Sequence, residues 1–529
     1  MSDVCKSRLS LLFLVVFLVV LAAWRPLTLP DEGRYADVGR WMLITGDWLT
    51  PRLNGIPFFH KPPLLYWLQT VLMEIFGVSV WCIRLVPAMH AMLMLLALYL
   101  VAREIGGERL ALRAVWVLGS SLTFLAGGQF LNHDILVASW ISIAIWSFAM
   151  SLECASCPNR RLALFGFAAC GFAVLSKGLI GIVLPGLVML IWVSIRGLWQ
   201  EVWRWPWMAG LALFLAIGLP WFVATQIKYP DFFDYMIIGQ HFRRYAGSDF
   251  NQHQAIWFYP ACLAVMLFPW AFLPLRDVWQ GLRQAPLRHL KRADTWQTLL
   301  WVWLVTIVAF FSIPQSKLIG YIFPAMPALA LLAARSWEKH FAPSKRNTRL
   351  FIAICLVNLT LGVTFDVLSA RSMQKKSSAD VAHVLNCLYQ DQDVVMAAHG
   401  YPYDLSFEAG LKAPLIVIQD WSALRRQASD NWSRELYEGS DFEPQTAHLL
   451  QELAVLGQPP SAGHWLVTPT TYKDDPELLE KWRLVVKGQA WSLWGSPVTD
   501  FEARRSLMRG QTACANVAKN IATLSPTMK

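Results

Sequence analysis

Long apolar runs broken by short polar loops dominate the first two-thirds of the chain. Runs near residues 9–24, 80–102, 110–127, 135–152, 162–176, 178–195, 207–226, 255–275, 297–312, 318–334 and 349–367 each approach the roughly 20 residues a helix needs to cross a bilayer. They predict eleven membrane helices. From about residue 368 the pattern changes. Val394–Ala398, Leu415–Ile418, Trp465–Thr468 and Leu484–Val486 read as short strands, interleaved with polar helical stretches such as Glu443–Leu456. The pattern thus predicts a membrane domain over 1–367, with a long loop at 25–79, followed by a small soluble α/β domain over 368–529. No internal repeat or low-complexity tract interrupts this order.

Composition agrees. Hydrophobic residues make up 55% of the 529 and charged residues only 16%, too few to cover a soluble protein of this size. The first apolar run follows Lys6 and Arg8, like a signal peptide. Leu21-Ala22-Ala23-Trp24 is a poor cleavage site, so an uncleaved helix is the better reading. The net charge of +10 resides in one set of loops. These carry Arg103/Arg109/Arg113, Arg160/Arg161, Arg196/Arg204, Arg276/Arg283/Arg288/Lys291/Arg292 and Arg335/Lys339/Lys345/Arg346/Arg349. The positive-inside rule makes them cytoplasmic, which explains the charge without a nucleic-acid partner. Loops 25–79, 128–134, around 177, 227–254 and 313–317, and everything after 367, then face outward.

The cysteines form no metal-binding array. Cys154 and Cys157 lie in a short loop with no second pair and read as ordinary reduced thiols. Cys387 and Cys514 both fall in the C-terminal domain, and whether they pair stays open.

Charged residues in outer loops near the membrane are the informative ones. Asp31 and Glu32, just after the first apolar run, offer a base or a metal ligand, and Arg34 and Lys61 offer positive charge to a phosphate. A solvated loop on the membrane surface is the plainer alternative. Lys177 interrupts an otherwise apolar stretch from Leu162 to Val193, which marks a functional hairpin tip more than a bland loop. Lys317 sits similarly, with snorkelling to lipid phosphate as the rival reading. Trp199–Trp207 reads as an interfacial aromatic belt. His90 reads as a packed histidine, and the sequon Asn431-Trp432-Ser433 carries no weight.

In order and placement, several short motifs resemble one family. Asp31-Glu32-x-Arg34-Tyr35, Gly46-Asp47-Trp48 and His60-Lys61-Pro62-Pro63 resemble the first outer loop of the aminoarabinose transferases, relatives of the protein O-mannosyltransferases. The likeness continues through Asn132-His133-Asp134, Ser176-Lys177-Gly178, His241-Phe242-x-Arg244, Gln252-His253-x-x-x-Trp257-Phe258-Tyr259 and Ser316-Lys317-x-x-x-Tyr321-x-x-Pro324.

This resemblance implies an α-helical polytopic membrane protein of the family-C glycosyltransferase fold, with about eleven to thirteen membrane helices, in a bacterial inner membrane. It also implies an undecaprenyl-phosphate-sugar donor, attack at the anomeric carbon with inversion, and a glycolipid acceptor, lipid A in the best-known members. The sugar would be an amino sugar. On that reading Asp31 is the first catalytic carboxylate, with Glu32 beside it and Asp134 orienting the acceptor. Arg34, Tyr35, Lys61, Lys177, Arg244, Lys317 and Tyr321 would bind substrate. The family usually has an acidic residue before the Lys-Pro where this chain has His60. A divalent metal (Zn, or Mg/Mn) would therefore use His60 with His253 or His241, and no nucleotide or organic cofactor is expected. Rival readings are a protein O-glycosyltransferase of the same fold and a transporter or flippase for a lipid-linked sugar. The flippase predicts ionisable residues near the bilayer midplane or repeated halves, whereas here the notable charges cluster towards one face.

Overall fold

The computed structural model describes residues 3–153, 158–243, 253–284, 294–427, 432–472, 481–501, 503–504 and 514. Its contacts divide the chain into two compact units. The first comprises Met1–Trp24, His60–Leu68 and Ser79–Val367, and the second Arg25–Phe59, Gln69–Val78 and Leu368–Lys529. Most of loop 25–79 thus falls in the second unit with the residues after 367.

Helices occupy the apolar runs of the first unit. They are α1 (Asp3–Leu21), α4 (Val80–Gly119), α5 (Leu122–Gln129), α6 (Asp134–Ser151), α7 (Arg160–Lys177) and α8 (Ile180–Arg196), followed by helices at Thr295–Ser312, Met326–His340 and Lys345–Gln374. Among the described residues five helical stretches are long and apolar enough to cross a membrane, and a sixth counts if the bent pair Trp207–Gly218 and Pro220–Lys228 is one span. The chain is a multi-pass membrane protein.

Three of the predicted runs take a different form. The expected loop between 80–102 and 110–127 is only a break inside α4, where Gly106 and Gly107 leave helical geometry. Gly107 has φ of 78°, a conformation open to glycine at little cost. The expected span 255–275 divides into helices Phe258–Met266 and Phe272–Gln284.

α6 lies at the centre, with 89% of its membrane window buried inside the protein. It packs side by side with α7. Trp140 stacks on Phe172 at 4.7 Å, and Phe148 meets Phe167 edge-on at 5.2 Å. Any Cβ on Gly166 would come within 2.6 Å of the Phe148 ring, so the missing side chain permits this approach. Asn159 starts α7 by accepting hydrogen bonds from the backbone N–H groups of Arg161 and Leu162.

The second unit carries a six-stranded mixed sheet. Its strands are β3 (Val394–Ala398), β4 (Ile416–Ile418), β5 (Leu450–Gln451), β6 (His464–Pro469), β7 (Arg483–Lys487) and β8 (Trp491–Gly495), in the order β5-β4-β3-β6-β8-β7. β3 runs parallel to β4 and β6, and β8 runs antiparallel to β6 and β7. All four predicted strands are present. The predicted helix over Glu443–Leu456 is not. Pro444, which has no N–H, opens a 3-10 turn (Pro444–Leu449), and Leu450–Gln451 then pairs with β4 instead of continuing a helix.

The loop at 25–59 contributes α2 (Asp31–Thr45) and a hairpin, β1 (Arg52–Leu53) with β2 (Ile56–Pro57). Asn54 and Gly55 turn that hairpin with φ of 55° and 76°, as a type I′ turn requires. Asn54 also exchanges side-chain hydrogen bonds with the backbone of Leu415, and Arg52 pairs with Glu443 at 2.7 Å. These bonds stitch the loop to the C-terminal region. Cys387 and Cys514 form a disulfide.

Candidate functional site

In the first unit, candidate residues from two helices form a charge cluster. Asp134 begins α6 and Lys177 ends α7, so each charge sits at the helix end that favours it. The α6–α7 packing brings the Lys177 ammonium onto Asp134 Oδ1, with the two side chains only 10% and 11% exposed. Asn132 fixes the carboxylate from behind. Its Nδ2 donates to Asp134 Oδ2, and its Oδ1 accepts from the Asp134 backbone N–H, both at 2.9 Å. Lys177 Nζ also lies 4.3 Å from the centre of the Tyr321 ring, a cation–π contact.

Gly320 completes the seat. Its Cβ, were there one, would stand 2.0 Å from Asp134 Oδ2. Because Lys177 and Asn132 hold that carboxylate, Gly320→Ala is expected to displace it and cut transfer by about tenfold or more. The thermal midpoint should fall as well, because the displaced carboxylate leaves its cation. Initial rates and a melting curve on one preparation check this, and a fully active Gly320→Ala contradicts it.

His133 precedes the α6 span and meets Tyr66 edge-on at 5.3 Å. Burial first, then the nearby ammonium groups of Lys61 and Lys177, hold its imidazole well below the usual histidine range. Neutral His133, Lys61, Lys177 and Asp134 therefore form a neighbourhood with two ammonium groups and one carboxylate.

Lys317 has another task. It is 4% exposed and donates to the carbonyl of Gln254 at 2.9 Å and to that of Pro314. His253 and Ser316 form an antiparallel bridge alongside, and Tyr259 donates to the Leu318 carbonyl at 3.1 Å. Lys317 thus clasps two loops together.

Of the three histidines expected to hold a metal, His60 and His253 have described side chains. His60 stands edge-on to Tyr235 at 5.8 Å, and His253 is exposed. His241 lies in a π-helical stretch, but its side chain is outside the described residues, as are Arg244, Cys154, Cys157 and Asn431. Among the described residues no group of three or more His, Cys, Asp or Glu side chains could hold a metal ion.

The second unit holds the other candidates, all on the first turn of α2. Glu32 is fully buried, paired with Arg25 at 2.6 Å and accepting from the Thr28 backbone N–H at 2.6 Å. A carboxylate committed in this way is a structural anchor, which corrects its expectation as a catalytic group. Arg25→Ala would leave that charge buried without its cation, at a cost of about 3–5 kcal/mol. A drop of several degrees in thermal midpoint is the expected reading, and an unchanged midpoint would count against it.

Arg34 is likewise engaged. It pairs with Glu435 at 2.8 Å and lies 5.4 Å from the centre of the Tyr403 ring. It therefore ties α2 to the C-terminal region instead of presenting a charge for phosphate. Tyr35, the next residue, is buried. Asp31 differs from all of these. Its side chain is 46% exposed, and Arg34 approaches it only to 3.6 Å, beyond hydrogen-bond distance.

Sequence reasoning missed four partners: Glu435, Tyr403 and the buried Asp37–Arg40 pair, which is 2.7 Å apart. Glu435 and Tyr403 lie hundreds of positions from α2, with no local pattern to announce them. The spacing of Asp37 and Arg40 (i, i+3 on one helix) was a usable signal.

Comparison with known proteins places this geometry in context. A family model described as dolichyl-phosphate-mannose-protein mannosyltransferase matches residues 60–223. An undecaprenyl phosphate-alpha-4-amino-4-deoxy-L-arabinose arabinosyl transferase of Pseudomonas aeruginosa is 33% identical over 62% of this chain, which spans 58% of that relative's length. A protein of the same description from Proteus mirabilis is 30% identical over 70% of this chain and 67% of its own. The crystal structure of ArnT from Cupriavidus metallidurans bound to undecaprenyl phosphate aligns with a TM-score of 0.77, over 93% of this chain and 98% of that one, at 22% identity. The fold is shared.

Proposed function

Because the chain belongs to the undecaprenyl phosphate-alpha-4-amino-4-deoxy-L-arabinose arabinosyl transferase family, we propose that it is an inverting glycosyltransferase that moves an amino sugar from undecaprenyl phosphate to lipid A or a similar glycolipid. The observation that carries this reading is the Asp134–Lys177–Tyr321 cluster, together with an apolar groove lined by Val174 and Leu179 on either side of Lys177 in the chain. That groove has a volume of about 410 Å³ and is lined by Val174, Leu179, Ile182, Leu219, Phe222 and Ile227. Val174 lies one turn before Lys177. An isoprenoid phosphate has the matching chemistry, a linear apolar chain ending in an anion.

In this reading Lys61 and Lys177 bind the donor phosphate. They stabilise the negative charge that builds on it as the bond to the anomeric carbon breaks. An acceptor oxygen forms the new bond from the opposite side, and undecaprenyl phosphate leaves. Asp134 holds Lys177 in place. Asp31 is the catalytic carboxylate on this proposal, taking the acceptor's proton.

The second unit and the hairpin tip at Lys177 face the periplasm on this proposal. Alternation of basic loops supports that orientation. The Cys387–Cys514 disulfide supports it too, because such bonds persist in oxidising compartments.

The test is reconstitution. Purified protein in liposomes receives undecaprenyl phosphate-aminoarabinose and lipid A, and products are read by mass spectrometry. Lipid A gaining one aminoarabinose is the expected result. An unmodified lipid A, with the protein folded and the donor intact, would contradict it.

A further inference from the structure

Four side chains of the second unit form an asymmetric charge relay: Asp31, Arg34, Tyr403 and Glu435. One guanidinium lies between two carboxylates and favours the distant one. Arg34 Nη1 is 2.8 Å from Glu435 Oε1 but 3.6 Å from Asp31 Oδ1. The first separation is a charge-assisted hydrogen bond, and the second is not. Burial follows the same division. Arg34 and Glu435 are 13% and 10% exposed, whereas Asp31 is 46% exposed.

The preference is built into the packing. Glu435 lies in the first turn of the helix Trp432–Phe442. Gly439 on that helix approaches so closely that a Cβ there would stand 2.3 Å from the Pro57 carbonyl oxygen, and Phe442 meets Phe59 edge-on at 5.0 Å. On the other side, a Cβ on Gly33 would stand 3.0 Å from the backbone of Tyr403, so the first turn of α2 is pressed against residue 403. The Tyr403 ring then lies 5.4 Å from the guanidinium. Burial and the charge of Glu435 raise the Tyr403 phenol above its usual range, leaving it protonated beside Arg34. Both carboxylates are thereby held at set distances from one cation.

We infer that Glu435 is a positioning residue that draws Arg34 away from Asp31 and so keeps the Asp31 carboxylate available for reaction. The inference rests on the catalytic reading of Asp31 given above. Without the charge of Glu435, Arg34 has one carboxylate within reach on its own helix, at i−3, and closes on it. Asp31 is then neutralised by an ion pair one turn away.

The experiment compares wild type, E435Q, R34Q, the double variant R34Q/E435Q and D31N as full-length protein in liposomes, with undecaprenyl phosphate-aminoarabinose and lipid A as probes. E435Q is expected to lower kcat by about tenfold with the donor KM nearly unchanged. R34Q/E435Q is expected to recover to about the level of R34Q alone, because no guanidinium remains to quench Asp31. A Glu435 that merely supports the fold gives the opposite order, with the double variant no better than E435Q, and that result overturns the inference. So does E435Q with wild-type kcat.

Carbodiimide labelling of Asp31, followed by peptide mass spectrometry, reads the same comparison without turnover. Labelling should slow in E435Q and return in the double variant. Equal labelling in wild type and E435Q overturns the inference even if no transfer occurs with these probes. Transfer that persists in D31N alongside the labelling difference overturns the catalytic reading while leaving the Glu435–Arg34 competition in place.

Discussion

Asp31→Asn is expected to lower transfer by about 10²–10⁴-fold, the range typical for a lost acid–base or charge-stabilising group. The substitution is nearly isosteric and removes only charge. Folding should not notice it. The side chain is 46% exposed, and its ion contact with Arg34 is a long 3.6 Å approach. Its neighbour Glu32 gives the contrast, being fully buried with Arg25 against it. The two adjacent carboxylates should therefore separate cleanly: Asp31→Asn loses rate at constant thermal midpoint, and disruption of Glu32 loses the midpoint. Rates and melting curves from the same liposome preparations check both. An Asp31→Asn protein retaining more than about a tenth of wild-type rate removes Asp31 from the chemistry.

Lys177→Ala has the second largest expected effect. It removes a phosphate ligand and also strands Asp134, whose side chain is 11% exposed, without its cation. Breaking such a pair from one side costs about 3–5 kcal/mol, whereas removing both partners is often close to neutral. The double variant Lys177→Ala with Asp134→Ala should thus recover most of the stability lost by Lys177→Ala alone. It should not recover transfer, which is expected to stay at least about 100-fold down because the leaving phosphate has lost its counter-charge. Recovery of both together would mean that Lys177 acts only through folding.

Much of this was readable from residue pattern. The apolar runs located the membrane helices, since lipid demands about the same length of apolar chain at each crossing. Lys177 stood out because a lone charge inside a long apolar stretch requires a partner. Asp134 stood out through the Asn132-His133-Asp134 motif, although nothing in the sequence said that the two would meet. Their contact depends on the register of α6 against α7, set by Trp140 on Phe172 and by the space left at Gly166.

Other features were out of reach. Asp31 and Glu32 look equivalent on paper, and only burial against Arg25 tells them apart. Arg34 looked like a phosphate ligand because its partner Glu435 is about 400 positions away and leaves no local trace. Loop 25–79 reads with the membrane domain in the sequence, whereas its residues Arg34, Arg52 and Asn54 all find partners beyond residue 400. The expected helix at Glu443–Leu456 failed for a local reason, because Pro444 and strand pairing by Leu450 and Gln451 outweighed helix propensity.

The most direct test of the central claim is mass spectrometry of lipid A from cells that make this protein, cells that lack it and cells that make Asp31→Asn, all supplied with the same donor. The proposed transferase adds one amino-sugar mass to lipid A with the wild-type protein, and that mass is absent in the other two. Identical lipid A in all three, with wild-type and variant protein present in the membrane at equal levels, would contradict transfer to lipid A.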